Sequence, residues 1–355
     1  MLGEDKPPVF QHPVLDYPTR SGNWRDQQRS TYDLCLQAVR EKRWRDAAAL
    51  AAHTIHEARE PHELYVDWAE GIRAYMREAG VDHSTIAAEE AALLDELRNE
   101  DGSPFDPQDG WRRANCHVRT VLTACDAQDE IQAVDALESS RRVWEETHDR
   151  KCDWVQGLLA IAARYLGEER IGPIWDHLMV PIFKNYEKYD VDLTPWSVSS
   201  ELLLQVTVDS LRGHLTGENR RGEVTYVEEE KRRGFRFTPC GAGGRNFKPG
   251  AKRFPLTKAE HNWAWNTKGV CLYCVHCCAV SERNPIQRYG YPAREIEPPF
   301  ENSEGRRDYC TWWVYDNPGD VPEEVYRRTG NTKPSKIGGA ATTEQQMIGK
   351  EGDRE

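Results

Sequence analysis

The sequence predicts a mainly α-helical fold, in which an irregular helical bundle is followed by a small, loop-rich α+β module. Three observations favour this fold class. Apolar residues recur at helical spacing over residues 24–216, strand-like alternation begins after Gly217, and six of the ten cysteines lie between residues 240 and 310. We therefore expect four regions: an extended arm (1–23), a helical domain (24–216), a cysteine-rich metal-binding module (217–329) and a disordered tail (330–355).

Length and charge restrict the class of protein. The chain has 355 residues and a formal net charge of -12. Nucleic acids and anionic membranes are bound through cationic faces, so a chain this acidic is not expected to bind either as a whole. Its polar, proline-rich opening is unlike a signal peptide, and no later stretch has the apolar length of a membrane span. These features predict a cytoplasmic protein without membrane contact, and they leave its oligomeric state open.

The helical domain is predicted from periodicity and from end signals. Residues 32–39 place apolar side chains on one face, and residues 44–55 carry an alanine-rich run. Pro61, followed by HELYVDWAEGIRAYMREAG, predicts a helix with proline in its first turn and glycine after its end. Ser84 begins another helix, and no motif recurs at the fixed period of a repeat protein. Further helices are predicted at 111–125, 127–147, 152–166, 171–188 and 195–215.

The character of the chain changes after Gly217. Alternating apolar residues predict short strands at 224–227 and 235–237. Beyond Cys240 the chain is rich in glycine, proline and tryptophan and shows neither helical nor strand periodicity. A bound metal would explain how such a segment folds.

The densest cysteine pattern is HNWAWNTKGVCLYCVHCC, over residues 261–278. It contains two overlapping Cys-x2-Cys pairs, a spacing that lets two sulfurs converge on one cation. Clustered cysteines in a large chain without an export signal indicate metal or redox chemistry more often than disulfides. The preferred interpretation is a zinc site, since mixed thiolate and imidazole ligation suits zinc. Its expected ligands are Cys240, His261, Cys274 and Cys277.

Two other interpretations of these cysteines stay open. Cys271, Cys274 and Cys277 match the first three positions of a ferredoxin-type run, so an iron–sulfur cluster could form if Cys310 or Cys240 supplied the fourth thiolate. Alternatively, the thiols are buried or redox-active and bind no metal. The zinc interpretation leaves Cys271, Cys278 and Cys310 without a role.

Whether the metal is catalytic depends on its ligand count. A structural zinc is closed by four protein ligands, whereas a catalytic zinc keeps one position open for water. For an open site, His276 and Glu282 are the candidate acid/base groups. The H-x-E element of the nucleobase deaminases and the H-E-x-x-H of the metalloproteases are both absent. His53 and His56, one helical turn apart, are assigned to a solvated helix face.

Residues 231–258 form a basic, glycine-rich segment with nine lysines and arginines and no acidic residue. Its CGAGGR stretch could bring backbone N–H groups and the Arg245 guanidinium around an anion. Trp263 and Trp265 could line an aromatic pocket beside it. Two competing interpretations are a tight turn whose basic residues balance acidic helices, and a patch that contacts RNA.

The strings PCGAGGR, HNWAW, CVHCC and CTWWVYDNPGDVPEEVY, all in the last third of the chain, resemble a group of uncharacterised bacterial proteins. The resemblance implies no activity and assigns no catalytic residue.

From the residues themselves we expect a zinc-dependent hydrolase or lyase acting on a small anionic substrate that could be aromatic. In this hypothesis Arg245, Trp263 and Trp265 bind the substrate, and His276 or Glu282 moves a proton. The alternatives are a non-catalytic interaction protein with a structural zinc site and an iron–sulfur redox protein.

Overall fold

A computed structural model describes residues 7–99, 101–183, 190, 192–247, 254–299, 301–302, 305–306 and 309–337. The protein is mainly α-helical with a small sheet near the C-terminal end, which confirms the predicted fold class. The helices are α1 (Thr31–Arg40), α2 (Trp44–Glu78), α3 (His83–Glu96), α4 (Pro107–Ala127), α5 (Glu130–Leu166), α6 (Ile171–Phe183), α7 (Trp196–Gly213), α8 (Val275–Cys278), α9 (Asn284–Tyr289) and α10 (Glu323–Arg327).

Helix α2 continues through Pro61, so the prediction that a helix begins there is wrong. A proline inside a helix has no N–H for the carbonyl four residues earlier, which here belongs to Glu57. That carbonyl faces Gly213 of α7, where a β-carbon would lie 2.2 Å from its oxygen. The long helix therefore accommodates its proline beside a close helix–helix contact that only glycine allows.

Helix α5 is also longer than predicted, because residues 127–147 and 152–166 were expected to form separate helices. The helix begins where the Asp129 side chain accepts a hydrogen bond from the backbone N–H of Gln132 (3.0 Å), and it ends at Gly167, whose φ is 94°. No proline occurs between these positions. The charged residues 149–151 thus lie within one helix rather than in a connecting loop.

The segment expected to be an extended arm forms a β-hairpin over its described part. Strand β1 (Val9–Gln11) pairs antiparallel with β2 (Pro18–Arg20). Arg20 is buried, and its guanidinium donates to the backbone carbonyls of Arg29 (2.6 Å) and Asp26 (3.1 Å). This side chain ties the hairpin to the segment just before α1, where the layer of long helices α1 to α7 (the helical layer) begins. Residues 1–6 lie outside the described residues.

The C-terminal sheet is antiparallel, with strand order β3-β4-β8-β5. It confirms the strands predicted at 224–227 and 235–237. A separate two-stranded ribbon pairs β6 with β7. The strands are β3 (Thr225–Glu228), β4 (Arg232–Phe237), β5 (Glu295–Glu297), β6 (Glu301–Asn302), β7 (Gly305–Arg306) and β8 (Cys310–Tyr315).

The helical layer and the cysteine-rich region share one hydrophobic core across the boundary expected at residue 216. Trp68 of α2 and Trp175 of α6 meet edge to face, with ring centroids 5.0 Å apart, and both contact Tyr273. The Trp175 indole N–H also donates to the backbone carbonyl of Leu272 (2.8 Å). The cysteine-rich region is therefore packed into the helical layer.

The structure describes the first part of the tail that was expected to be disordered, residues 330–337. Lys333 donates from its ammonium group to the backbone carbonyls of Gly319 (2.7 Å) and Val321 (2.8 Å), which holds this part of the chain against the turn before α10. The rest of the predicted tail, residues 338–355, lies outside the described residues.

Candidate metal centre

Two of the cysteines are brought together by the register of the sheet. Phe237, the last residue of β4, pairs with Cys310, the first residue of β8. From Phe237 the chain passes through Thr238 and Pro239 to Cys240, so Cys240 and Cys310 lie at the same end of the sheet. Both thiols have raised pKa values, chiefly because of burial. A charge on Cys240 raises the pKa of Cys310 further.

The three-cysteine run lies at the turn that enters helix α8. The backbone N–H of Cys277 donates to the carbonyl of Cys274 (3.0 Å), so the chain makes a helical turn between these two cysteines. Gly243, in the loop after Cys240, fits closely against Cys274 and Cys271, because a β-carbon there would lie 2.4 Å from the Cys274 sulfur and 3.8 Å from the Cys271 sulfur. The glycine-rich loop and the Cys-x2-Cys-x2-Cys run are therefore in direct contact.

Hydrogen bonds differentiate the two thiols nearest Gly243. The Asn246 side-chain N–H donates to the Cys271 sulfur (3.1 Å), and the Cys271 thiol lies 3.3 Å from Oε1 of Gln156. Burial opposes a Cys271 thiolate, but hydrogen bonds from Cys274 and Asn246 outweigh it and lower the pKa of Cys271. The thiol of Cys274 donates to Cys271 and is buried, so its pKa lies well above the usual value. Cys271 is thus the thiol most readily deprotonated.

The spacing of these thiols bears on which metal they can bind. Two sulfurs that each lie about 2.3 Å from one zinc ion can be no more than about 4.6 Å apart. Among the residues that the structure describes, the one group of three or more His, Cys, Asp or Glu side chains with all ligand atoms within 4.8 Å of one another is His53, Glu57 and Asp209. In the described part of the chain, no three cysteine sulfurs therefore lie this close to one another, although Cys271 and Cys274 are near enough to form a hydrogen bond.

His261, the fourth predicted zinc ligand, is engaged elsewhere. Its Nε2 atom lies 2.9 Å from Oε1 of Glu168, and its ring stacks on Trp263 with centroids 4.0 Å apart. Glu168 also accepts hydrogen bonds from the backbone N–H groups of Lys258 (2.9 Å) and Ala259 (3.0 Å). The structure therefore places His261 where the turn after α5, which contains Glu168, meets the loop of residues 258–261.

His276 lies beside the cysteines. Its Nδ1–H donates to the backbone carbonyl of Tyr273 (2.6 Å), and its Nε2 atom lies 3.4 Å from the Cys277 sulfur. Burial lowers the pKa of His276 to about 4, so the ring is neutral near pH 7 with an Nε2 lone pair directed at Cys277. The ring also contacts Trp68 and Trp175.

Glu282, the other predicted acid/base group, is hydrogen-bonded to two other segments of the chain. Its carboxylate accepts hydrogen bonds from the Arg328 guanidinium (3.0 Å) and from the backbone N–H of Ile296 (2.7 Å). The side chain is fully buried. It therefore joins three segments, namely the turn after α8, strand β5 and the end of α10.

Arg245, the predicted anion-binding residue, already forms ion pairs with two carboxylates. Its Nε atom lies 3.1 Å from Asp149, and its terminal nitrogen lies 3.2 Å from Asp153. Burial opposes the charge of the guanidinium, but these two aspartates raise the pKa of Arg245 above its usual value. Both partners lie on α5, so Arg245 links the glycine-rich loop to that helix.

The tryptophans expected to bind substrate are core residues. Trp263 is 6% exposed and Trp265 is 4% exposed. Trp263 lies against Gly172 of α6, where a β-carbon would approach its ring to 2.4 Å. The two rings therefore fill space between the helical layer and the cysteine-rich region.

The basic segment is balanced by acidic side chains over its described part. The ion pairs join Lys231 to Asp320 (3.2 Å), Arg232 to Glu295 (2.8 Å) and Arg233 to Glu201 (2.7 Å). This pattern matches the interpretation in which the basic residues neutralise acidic neighbours. Arg236 instead donates to the Thr311 hydroxyl (3.2 Å) and lies over the Tyr309 ring, while Lys248, Lys252 and Arg253 lie outside the described residues.

A buried cluster that the sequence did not reveal lies next to the cysteines. The Tyr65 hydroxyl is within 3.2 Å of both His148 Nε2 and His214 Nδ1, and it accepts a hydrogen bond from the Tyr273 hydroxyl (3.0 Å). The two imidazole nitrogens are 3.0 Å apart. These residues come from α2, α5, the end of α7 and the turn before α8, and no local sequence pattern connects such distant positions.

His53 was expected on a solvated helix face, but it is 2% exposed and contacts Glu57 (3.4 Å). With Asp209 these residues form the compact group described above. Protein donors already satisfy its carboxylates, since Thr31 donates to Glu57 (2.8 Å) and Arg212 pairs with Asp209 (3.1 Å). The group therefore has the composition of a buried ion-pair network that joins α2 to α7.

Comparison of the chain with models of known protein families, with curated proteins and with solved structures finds no match. Within the described part of the chain, no helix has both the length and the apolar character that crossing a bilayer requires.

Proposed function

We propose that this protein is a redox protein that binds an iron–sulfur cluster through Cys240, Cys271, Cys274 and Cys277. The observation that carries the proposal is the arrangement of the thiols. The loop that follows Cys240 lies against the three-cysteine run, and in the described part of the chain no three cysteine sulfurs lie within 4.8 Å of one another. An iron–sulfur cluster distributes its thiolates over different iron atoms, so its ligands lie further apart than those of a single zinc ion.

Cys240 is the best fourth ligand because it lies next to the other three. A charge on Cys240 raises the pKa of Cys274 and of Cys277, and Cys271 in turn affects Cys240. Cys240 and Cys277 also keep some water-accessible surface, whereas Cys310 is buried. A bound cluster would cover part of the surface that these two residues leave accessible.

The surroundings of the thiols suit electron transfer better than hydrolysis. Trp68, Trp175 and Tyr273 pack around the cysteine run, and such apolar packing keeps water from a cluster. The Asn246 N–H donates to the Cys271 sulfur, and hydrogen bonds to ligand sulfurs are one of the means by which proteins set cluster potentials. A bound iron–sulfur cluster would supply one-electron chemistry. The aromatic side chains would exclude water from it, and the Asn246 hydrogen bond would shift its reduction potential.

The residues expected to serve a zinc hydrolase or lyase have other partners. Arg245 is neutralised by two aspartates, Glu282 is paired with Arg328, and His261 is hydrogen-bonded to Glu168. A guanidinium with two carboxylate partners has little capacity left for a substrate anion. This pattern supports a redox function over the hydrolytic one.

The test is metal and sulfide analysis of the full chain purified without oxygen, with its visible and electron paramagnetic resonance spectra. We expect a brown protein with about four irons and four sulfides per chain, and a paramagnetic signal after reduction with dithionite. Cys277→Ala should lose the colour and the iron. The matched control is Cys278→Ala, because the neighbouring Cys278 thiol points to the backbone carbonyl of Asn262 (3.8 Å) and should leave the iron content unchanged.

Two results would overturn the proposal. Colourless protein with about one zinc per chain would mean that the thiols rearrange around a single ion. Protein that binds neither metal, even after anaerobic reconstitution with iron and sulfide, would assign the cysteines to a metal-free core.

A further inference from the structure

Three ligand atoms meet in the core next to the cysteine cluster without an assigned role. The Oη atom of Tyr65, the Nε2 atom of His148 and the Nδ1 atom of His214 form a triangle with edges of 3.2, 3.2 and 3.0 Å. Tyr65 and His148 are fully buried, and His214 keeps some accessible surface. The three side chains come from α2, from α5 and from the residue that follows α7.

We infer that Tyr65, His148 and His214 form a second metal site, which binds a first-row transition metal ion. Metal–nitrogen bonds are about 2.0–2.1 Å long, so neighbouring ligand atoms of a tetrahedral or octahedral ion lie roughly 2.9–3.4 Å apart. All three edges of the triangle fall within this range. The atoms therefore need little movement to accept an ion.

His148 is oriented in the way that metal-binding histidines usually are. Its Nδ1–H donates to Asp149 (3.0 Å), which leaves the Nε2 lone pair directed at the triangle. Asp149 is held in turn by Arg220 (2.7 Å) and Arg245 (3.1 Å). A carboxylate that fixes the far nitrogen of a histidine sets its tautomer and increases its basicity as a ligand.

Each atom of the triangle has a hydrogen-bond partner, and the Tyr65 oxygen also accepts from the Tyr273 hydroxyl (3.0 Å), but the triangle has fewer protons than edges. The Nε2 atom of His148 has no proton when Nδ1 donates to Asp149, so the three edges share at most the Tyr65 hydroxyl proton and one proton on His214. One edge then joins two groups with no proton between them. A cation in the centre would use all three lone pairs at once.

The donor set indicates the class of metal. Two imidazoles suit zinc, iron, copper and nickel, and the phenolate oxygen that Tyr65 would supply favours iron. The phenol proton would leave on binding, so metal uptake releases a proton to solvent. Access is from the side of His214, the one ligand of the three that keeps accessible surface.

Cobalt(II) is the probe, because its absorption distinguishes nitrogen and oxygen ligands from thiolates. The full chain, purified without oxygen and treated with a chelator, is titrated with cobalt(II) and analysed for bound cobalt. We expect one cobalt per chain in addition to any that the cysteines bind, with weak visible bands and without the thiolate charge-transfer band that cobalt on the cysteines would show. Tyr65→Phe, which keeps the ring in the core, should weaken binding at least tenfold, and His214→Gln should do the same.

Two variants separate this site from the cysteine cluster. Cys277→Ala should still bind the cobalt, so the site can exist even if the proposed redox function is wrong. His62→Gln is the matched control, because His62 is a buried histidine that stacks on Trp111 away from the triangle. The inference fails if cobalt binds only with a thiolate band, does not bind, or binds equally to Tyr65→Phe and the wild type.

Discussion

Gly213 of α7 lies directly over the backbone carbonyl of Glu57 in α2. A β-carbon at position 213 would lie 2.2 Å from that carbonyl oxygen and 3.0 Å from its carbon. The same carbonyl has no helical hydrogen-bond partner, because the residue four positions later is Pro61. The proline and the glycine together define how closely α2 and α7 approach.

We predict that Gly213→Ala destabilises the protein by about 1–3 kcal/mol. Alanine normally stabilises a helix relative to glycine, so a loss would report the clash with the Glu57 backbone. Chemical denaturation of the variant and the wild type measures the difference. Gly71→Ala is the control, since its β-carbon would meet only the end of the flexible Leu178 side chain and should cost less. Equal effects at the two positions would contradict this account.

Periodicity and end signals predicted the fold class, the first two of the C-terminal strands and most of the long helices, because these features depend on residues near one another in the chain. The errors occurred where distant contacts decide the outcome. Pro61 has the sequence signature of a helix start, but α2 continues through it beside Gly213. The N-terminal segment forms a hairpin whose Arg20 is bonded to backbone carbonyls up to nine residues away.

The sequence predicted only the part of the candidate site whose residues lie close together in the chain. The run of Cys271, Cys274 and Cys277 is visible in the sequence, and the structure brings the loop of Cys240 against it. His261 is only ten residues from Cys271, yet its partner is Glu168, which is 93 residues away. No local sequence pattern indicates contacts between residues so far apart in the chain. The contact between Tyr65 and His148, which are 83 residues apart, is another example.

Arg245 should be a structural residue rather than an anion-binding one. We predict that Arg245→Met destabilises the protein at pH 7 by up to about 3–5 kcal/mol, because Asp149 and Asp153 lose a cation that they share, although Arg220 still pairs with Asp149. Arg245 helps to hold the pKa of Asp149 well below its usual value, although burial opposes this. The stabilisation is therefore present above the unfolded-state pKa of about 4 and is lost at lower pH.

Denaturation of Arg245→Met and the wild type at several pH values checks this prediction. The difference between the two proteins should be largest near neutral pH and should shrink in acid. Lys231→Met is the control, because Lys231 forms an exposed ion pair with Asp320 that contributes at most about 1 kcal/mol. A fully stable Arg245→Met variant would return Arg245 to the list of candidate ligand-binding residues.

His261 should not be a metal ligand. We predict that His261→Ala keeps the iron content of the wild type, while its stability falls by about 0.5–1.5 kcal/mol through loss of the hydrogen bond to Glu168. Iron analysis and thermal denaturation of the same sample measure both effects. Cys274→Ala is the comparison, since it should lose the iron. Loss of metal from His261→Ala, with the fold intact, would restore His261 as a ligand.

Lys151 should make the stability of the protein depend on pH in the alkaline range. Its ammonium group is fully buried and donates to the backbone carbonyl of His62 (3.1 Å). Burial lowers the pKa of Lys151 to about 7, whereas an unfolded lysine has a pKa of about 10.4. Between these values the unfolded chain binds more protons than the folded one, so stability should rise with pH.

We therefore predict that Lys151→Met is more stable than the wild type at pH 7 by a few kcal/mol, since each pKa unit corresponds to about 1.4 kcal/mol. The advantage should diminish as the pH approaches 10.4, because the unfolded lysine then loses its proton as well. Urea denaturation at pH 7, 8.5 and 10 measures this trend, with the exposed Lys268→Met as the control. A difference that does not change with pH would show that Lys151 titrates as an ordinary lysine in the folded protein, which would contradict this account.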